Sequence, residues 1–110
     1  MQRSVYEKIR DDEIEANIVL KDDYITAFKH INPQAPVHII IIPNRRIIGM
    51  NDIDENDNVY LAMLLLAAKN IAKQQKISET GYRLIINSGT NAGEETDYLN
   101  IQLLGGKKLS

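Results

Sequence analysis

The sequence predicts an α+β fold: an antiparallel sheet of about five strands with one long and one short helix packed on it. Three observations carry this. The run Val37-His38-Ile39-Ile40-Ile41-Ile42-Pro43 is apolar on both faces, as in a central strand covered on both sides. Every position from Val59 to Ala68 is apolar or alanine, in a stretch of helical length. From Tyr98 to Leu103 polar and apolar residues alternate, which in a strand puts Tyr98, Asn100 and Gln102 on one face and Leu99, Ile101 and Leu103 on the other.

The remaining elements follow in order. Ser4 to Asp12 reads as a short helix, with Ser4 as its cap and Glu7 three residues on. Ile18-Val19-Leu20 and Tyr24–Ile31 are β-rich runs separated by Lys21-Asp22-Asp23, a hairpin signal because aspartates favour tight turns. Asn32-Pro33-Gln34-Ala35-Pro36 is a loop, since its prolines lack the backbone donor and push their predecessors towards extended geometry. Asn44-Arg45-Arg46 is an exposed turn, and Asn51 or Asp54 caps a helix running to about Lys76. Tyr82–Asn87 is a strand, Ser88–Asp97 a loop with glycines and acids, and Tyr98–Leu104 the last strand before Gly105-Gly106.

A chain of 110 residues is one domain, 1–110, large enough for one core. Its net charge of −2 does not suggest a nucleic-acid surface. No cysteine is present, which removes disulfides, thiolate catalysis and thiolate metal sites, and fits a reducing compartment. No apolar run approaches the ~20 residues needed to span a bilayer, and Met1-Gln2-Arg3-Ser4 does not resemble a secretory leader. A cytoplasmic protein without membrane or nucleic-acid partners is the expectation. The long helix is apolar most of the way round, so it needs cover on two sides. A sheet gives one. A second copy of the chain gives the other, because two-fold homodimers are the commonest assembly. The alternative is that the N-terminal segment covers it.

The segment Ile31–Pro43, beginning INPQAPVH, and the closing stretch Gly81–Leu109, ending in LLGG, resemble the histidine triad (HIT) family of the small Hint type. The resemblance covers essentially the whole chain and implies the same fold, paired through the long helix and the adjacent strand. In that family the last strand carries three alternating histidines, and the middle one attacks the α-phosphorus of a nucleotide. Here those places hold Tyr98, Asn100 and Gln102. A carboxamide nitrogen is delocalised into its carbonyl and is not a useful nucleophile, and a phenol titrating near ~10 is no proton shuttle at neutrality. His38 matches the family's fourth histidine. With the triad gone, a core histidine with a backbone partner is the expectation. His30 stands where relatives have an acid for the ribose hydroxyls, flanked by Phe28 and Ile31, which match residues around the base. Asn87 and Gly93 match residues that help hold phosphate. Relatives then have uncharged donors where this chain has Glu94-Glu95, with Asp97 behind. An ionised carboxylate only accepts hydrogen bonds, so it repels a phosphate.

The expected function is therefore a HIT-like protein without catalytic residues, a nucleotide or nucleoside binding or interaction module, with no cofactor and no metal site. Two alternatives are a hydrolase using water activated by Glu95, Asp97 or His38, and a binder of neutral nucleoside-like ligands. An open cavity lined by Asn100, Gln102 and His38 separates these from a pocket filled by Tyr98 and the loop.

Overall fold

The computed structural model describes residues 4–94 and 96–110. Helix α1 (Val5–Arg10) leads to strands β1 (Ile18–Lys21), β2 (Ile25–Lys29) and β3 (Val37–Pro43). Helix α2 (Asn58–Gln74) then precedes strands β4 (Tyr82–Ile85) and β5 (Ile101–Gly105). The strands form one antiparallel sheet in the order β1-β2-β3-β5-β4. β5 therefore returns to lie between β3 and β4, which brings the end of the chain against the middle of the sheet.

Local chemistry sets these boundaries. Ser4 caps α1, accepting the Glu7 N–H at 3.1 Å. Asp22 Oδ1 accepts from the backbone of Tyr24 at 2.8 Å and Ile25 at 2.9 Å, the side-chain turn that closes the β1–β2 hairpin. The approach to α2 is more broken than a single cap: short 3₁₀ turns at Met50–Asp52 and Glu55–Asp57 come first. Asp54 and Asp57 form a reciprocal capping box, and α2 begins only after it.

The sheet has two covered faces. On one, α2 packs Leu64, Ala68 and Ile71 against Ile39, Ile41, Ile101 and Leu103. On the other, Ile9 and Tyr6 of the N-terminal segment pack with Phe28, Ile40, Ile42 and Tyr98. Burial of β3 on both faces follows from this arrangement. So does the fate of the N-terminal segment, which lies across the sheet from α2 and does not cover it. Leu65 is 57% exposed and Leu66 48%, and Val59 on the same helix is also exposed. The edge strand β4 leaves Tyr82, Leu84 and the following Ile86 open as well.

The glycine pair at the end of β5 is a close-packing device. A side chain on Gly105 would lie 2.7 Å from Ile77 Cδ1, and one on Gly106, whose φ is +89°, would meet Pro36 at 3.0 Å. The first approach seats Ile77 against the last strand, and the second seats the proline loop.

The last strand departs from expectation at its start. It begins at Ile101 rather than Tyr98, because the Leu99 N–H goes to Ile47 O at 2.7 Å, outside the β3 ladder. The alternation of faces survives this. Leu99, Ile101 and Leu103 join the α2-side core, and Tyr98 the other.

Candidate functional site

The β2–β3 connection assembles a pair of imidazoles. Pro33 and Pro36 have no amide to donate. The N–H groups flanking Pro33 go to side chains: Asn32 to His30 Nδ1 at 2.9 Å, and Gln34 to His38 Nδ1 at 3.0 Å. The His30 N–H reaches His38 O at 2.9 Å, and the two rings stack with centroids 4.2 Å apart and 19° between planes. A nitrogen that accepts a backbone N–H holds its lone pair, so the His38 proton sits on Nε2. From there it is donated to Gln102 Oε1 at 2.8 Å. His38 is buried, and both of its ring nitrogens are engaged.

Beside this pair opens a cavity of about 370 Å³. Its walls are mainly amides: Asn32, Gln34, Asn87, Asn100 and Gln102. His30, His38, Tyr6, Gly93, Glu94 and Thr96 complete the lining. A second, larger groove adjoins it, sharing Tyr6, His30 and Asn32. That groove is apolar at its base, with Ile9, Phe28 and Ile40, and carries Ile31 on its rim. Tyr6 and Phe28 meet edge to face at 5.4 Å. Ile31 is 90% exposed, open to a ligand rather than packed in a core. The result is an aromatic, apolar slot running into a chamber walled mainly by neutral amides, with the Glu94 carboxylate at one side.

The residues in the three alternating places have separated roles. Asn100 and Gln102 line the chamber; Tyr98 does not. Tyr98 is 1% exposed, and its hydroxyl donates to Pro43 O at 2.5 Å and accepts from Arg10 at 3.2 Å. Burial raises its pKa, an effect the Arg10 hydrogen bond and charge partly offset. It is a core residue tying α1 to the end of β3, not part of a pocket floor. The Asn100 side-chain nitrogen is itself held, donating to Tyr98 O at 2.9 Å.

The acids of the loop also part company. Asp97 turns away from the chamber to pair with Arg46 at 2.7 Å, so it does not face a ligand there. Glu94 lines the chamber, and its Oε2 accepts the Gly89 N–H at 2.7 Å. Glu95 lies outside the described residues. Among the described residues no group of three or more His, Cys, Asp or Glu converges to hold a metal ion.

Four lining residues were not legible as site residues in the sequence: Tyr6, Asn32, Gln34 and Thr96. For Asn32 and Gln34 a signal existed. A non-proline amide beside a proline in a tight loop needs an acceptor, and the nearest ones are the imidazoles flanking the loop. Tyr6 reaches the site only through packing on Phe28, which no local pattern shows.

Comparison with known proteins places this geometry. The HIT domain family model matches residues 11–109. The purine nucleoside phosphoramidase of Escherichia coli K12 is 42% identical over 98% of this chain and 91% of its own length. A HIT-like protein of Buchnera aphidicola from Acyrthosiphon pisum is 48% identical, over 96% of this chain and 93% of its own. Among solved structures, a HIT family hydrolase from Legionella pneumophila superposes with a TM-score of 0.95 at 39% identity, covering 98% of this chain and 96% of that one. A family model spanning nearly all of the sequence, with relatives matched end to end and the same five-stranded sheet, means that this chain belongs to the HIT domain family.

Proposed function

We propose that this protein binds nucleosides in an inherited pocket and does not hydrolyse nucleotides. The observation that carries the reading is the open chamber with Asn100 and Gln102 in its wall. An amide stands where the resemblance puts the attacking histidine, and its nitrogen is already donated to Tyr98 O. Neither atom of a carboxamide offers a nucleophile that titrates near neutrality. The slot lined by Phe28 and Tyr6 suits an aromatic base, and the amide chamber beyond it suits ribose hydroxyls, which both donate and accept. His30, Ile31, Asn87 and Gly93 border these two spaces and are the further ligand-contacting candidates. Glu95, which the resemblance also points to, has no described position.

The hydrolase named for the Escherichia coli relative is the competing reading. Activated water would need a base facing the chamber. Asp97 is paired with Arg46 outside it, both nitrogens of His38 are engaged, and Glu94, which does face the chamber, has one carboxylate oxygen held on the Gly89 N–H. Binding rather than turnover is the better supported of the two. A cytoplasmic setting goes with the cysteine-free sequence.

The test of binding is a thermal-shift panel. A ligand that binds only the folded state raises Tm by mass action, about 2.7 kcal/mol at a hundredfold excess over Kd. Adenosine or guanosine at millimolar concentration should raise Tm by several degrees, and Asn100→Ala should reduce the shift. No shift with any nucleoside would end the reading.

We also propose a homodimer through α2. Its exposed Val59, Leu65 and Leu66 form an apolar surface that the N-terminal segment leaves open. Sedimentation equilibrium at micromolar concentration should give the mass of two chains. Leu65→Glu should give monomer or insoluble protein, since burying an unpaired charge is costly. A wild-type monomer under those conditions would contradict the proposal.

A further inference from the structure

Glu94 is the one acidic side chain among the described residues lining the chamber, and no lysine or arginine lines it. Its carboxylate is not loose. Oε2 is fixed on the Gly89 N–H at 2.7 Å. The loop around it is closed on itself: Ala92 and Glu94 donate their amides to Gly89 O, both at 3.2 Å, and Gly93 donates to Thr90 O at 3.1 Å. A loop of this kind holds an anion through its backbone N–H groups. Here those donors are used internally, and one of them already carries a carboxylate.

We infer that the Glu94 carboxylate is a built-in occupant of the loop, so that the chamber selects nucleoside-like ligands whose 5′ end is uncharged or cationic over the corresponding 5′-phosphates. This rests on the nucleoside reading above and specifies its ligand class. The charge on the loop repels a phosphate, and the acceptor oxygens favour a hydroxyl or an ammonium. The neutral amides of Asn87, Asn100 and Gln102 offer no compensating cation.

The experiment is calorimetric titration of the full chain with adenosine, 5′-amino-5′-deoxyadenosine and adenosine 5′-monophosphate at low ionic strength. The expected order of affinity is amine, then nucleoside, then phosphate, with at least tenfold between the first and the last. Glu94→Gln keeps an acceptor for the Gly89 N–H and removes the charge, so it should bring the amine and the phosphate to within about threefold. A phosphate that binds wild type as tightly as the amine would overturn the inference, as would a ranking that Glu94→Gln leaves unchanged. If no nucleoside binds, the nucleoside reading fails, and the charge preference is then read by NMR on the side-chain amides of Asn87, Asn100 and Gln102. Ethylammonium moving these signals at lower concentration than inorganic phosphate, with the difference lost in Glu94→Gln, upholds the charge preference. Phosphate acting first overturns it.

Discussion

Tyr98→Ala should lower the unfolding free energy by about 3–5 kcal/mol, the cost typical of deleting a large buried aromatic side chain. Tyr98 is among the largest fully buried side chains, packed with Phe28, Ile40 and Ile42. Tyr98→Phe separates the packing from the hydroxyl. It leaves Pro43 O without its donor and Arg10 without one acceptor, and should cost about 1–3 kcal/mol. The hydroxyl also makes stability depend on pH. Burial raises the phenol above its ordinary value of 10.0 in the folded state, whereas the unfolded chain ionises near that value. Above it the unfolded state binds fewer protons than the native one, so stability falls as pH rises. The contribution is complete below the unfolded value and is lost as pH climbs through the raised one. Urea denaturation at about pH 8 and about pH 11 should therefore show the advantage of wild type over Tyr98→Phe shrinking at the higher pH. An advantage that stays constant would mean the phenol is not protected from ionisation.

The second large effect concerns catalysis. Restoring histidine as Asn100→His and Gln102→His should give little turnover of an adenosine phosphoramidate. The nucleophile would return, but the substrate phosphate would still face Glu94. At ~6 Å and an effective dielectric of ~20, that repulsion is roughly 3 kcal/mol before screening. Adding Glu94→Gln should then raise kcat/KM by about ten- to a hundredfold, the gain coming from the charge that develops in the transition state. Restoring the third histidine is expected to harm the protein, because Tyr98→His would put a smaller polar ring among Phe28, Ile40 and Ile42 and lose the bond to Pro43. If the double change is already as fast as the version with Glu94→Gln, then Glu94 does not meet the phosphate. The non-additivity between the two sets is the quantity that decides.

How far the sequence revealed this depended on whether the information was local. β3 is bounded at Val37 and Pro43 as its apolar run implies, since a stretch apolar on both faces has to be covered on both. The α+β fold, the hairpin at Asp22 and the cap at Ser4 were equally legible, each from a short pattern with its own mechanism. The alternation at Tyr98, Asn100 and Gln102 gave the face correctly, but not what covers it. Tyr98 is buried because Arg10, far away in sequence, and the Pro43 carbonyl both reach its hydroxyl. Asp97 looked like part of an acidic wall, but Arg46 draws it outward. The stacked imidazoles of His30 and His38 lie across the β2–β3 connection, where strand pairing rather than spacing brings them together. Long-range partners decided each of these cases.

The central claim is that the pocket persists without a nucleophile. The most direct test is steady-state turnover of a fluorogenic adenosine phosphoramidate by the wild-type chain, followed for hours at micromolar enzyme. The expected result is product release indistinguishable from buffer and unchanged by Asn100→Ala. Many turnovers per protein molecule, above buffer and abolished by a substitution in the chamber such as Asn100→Ala or Glu94→Gln, would contradict it.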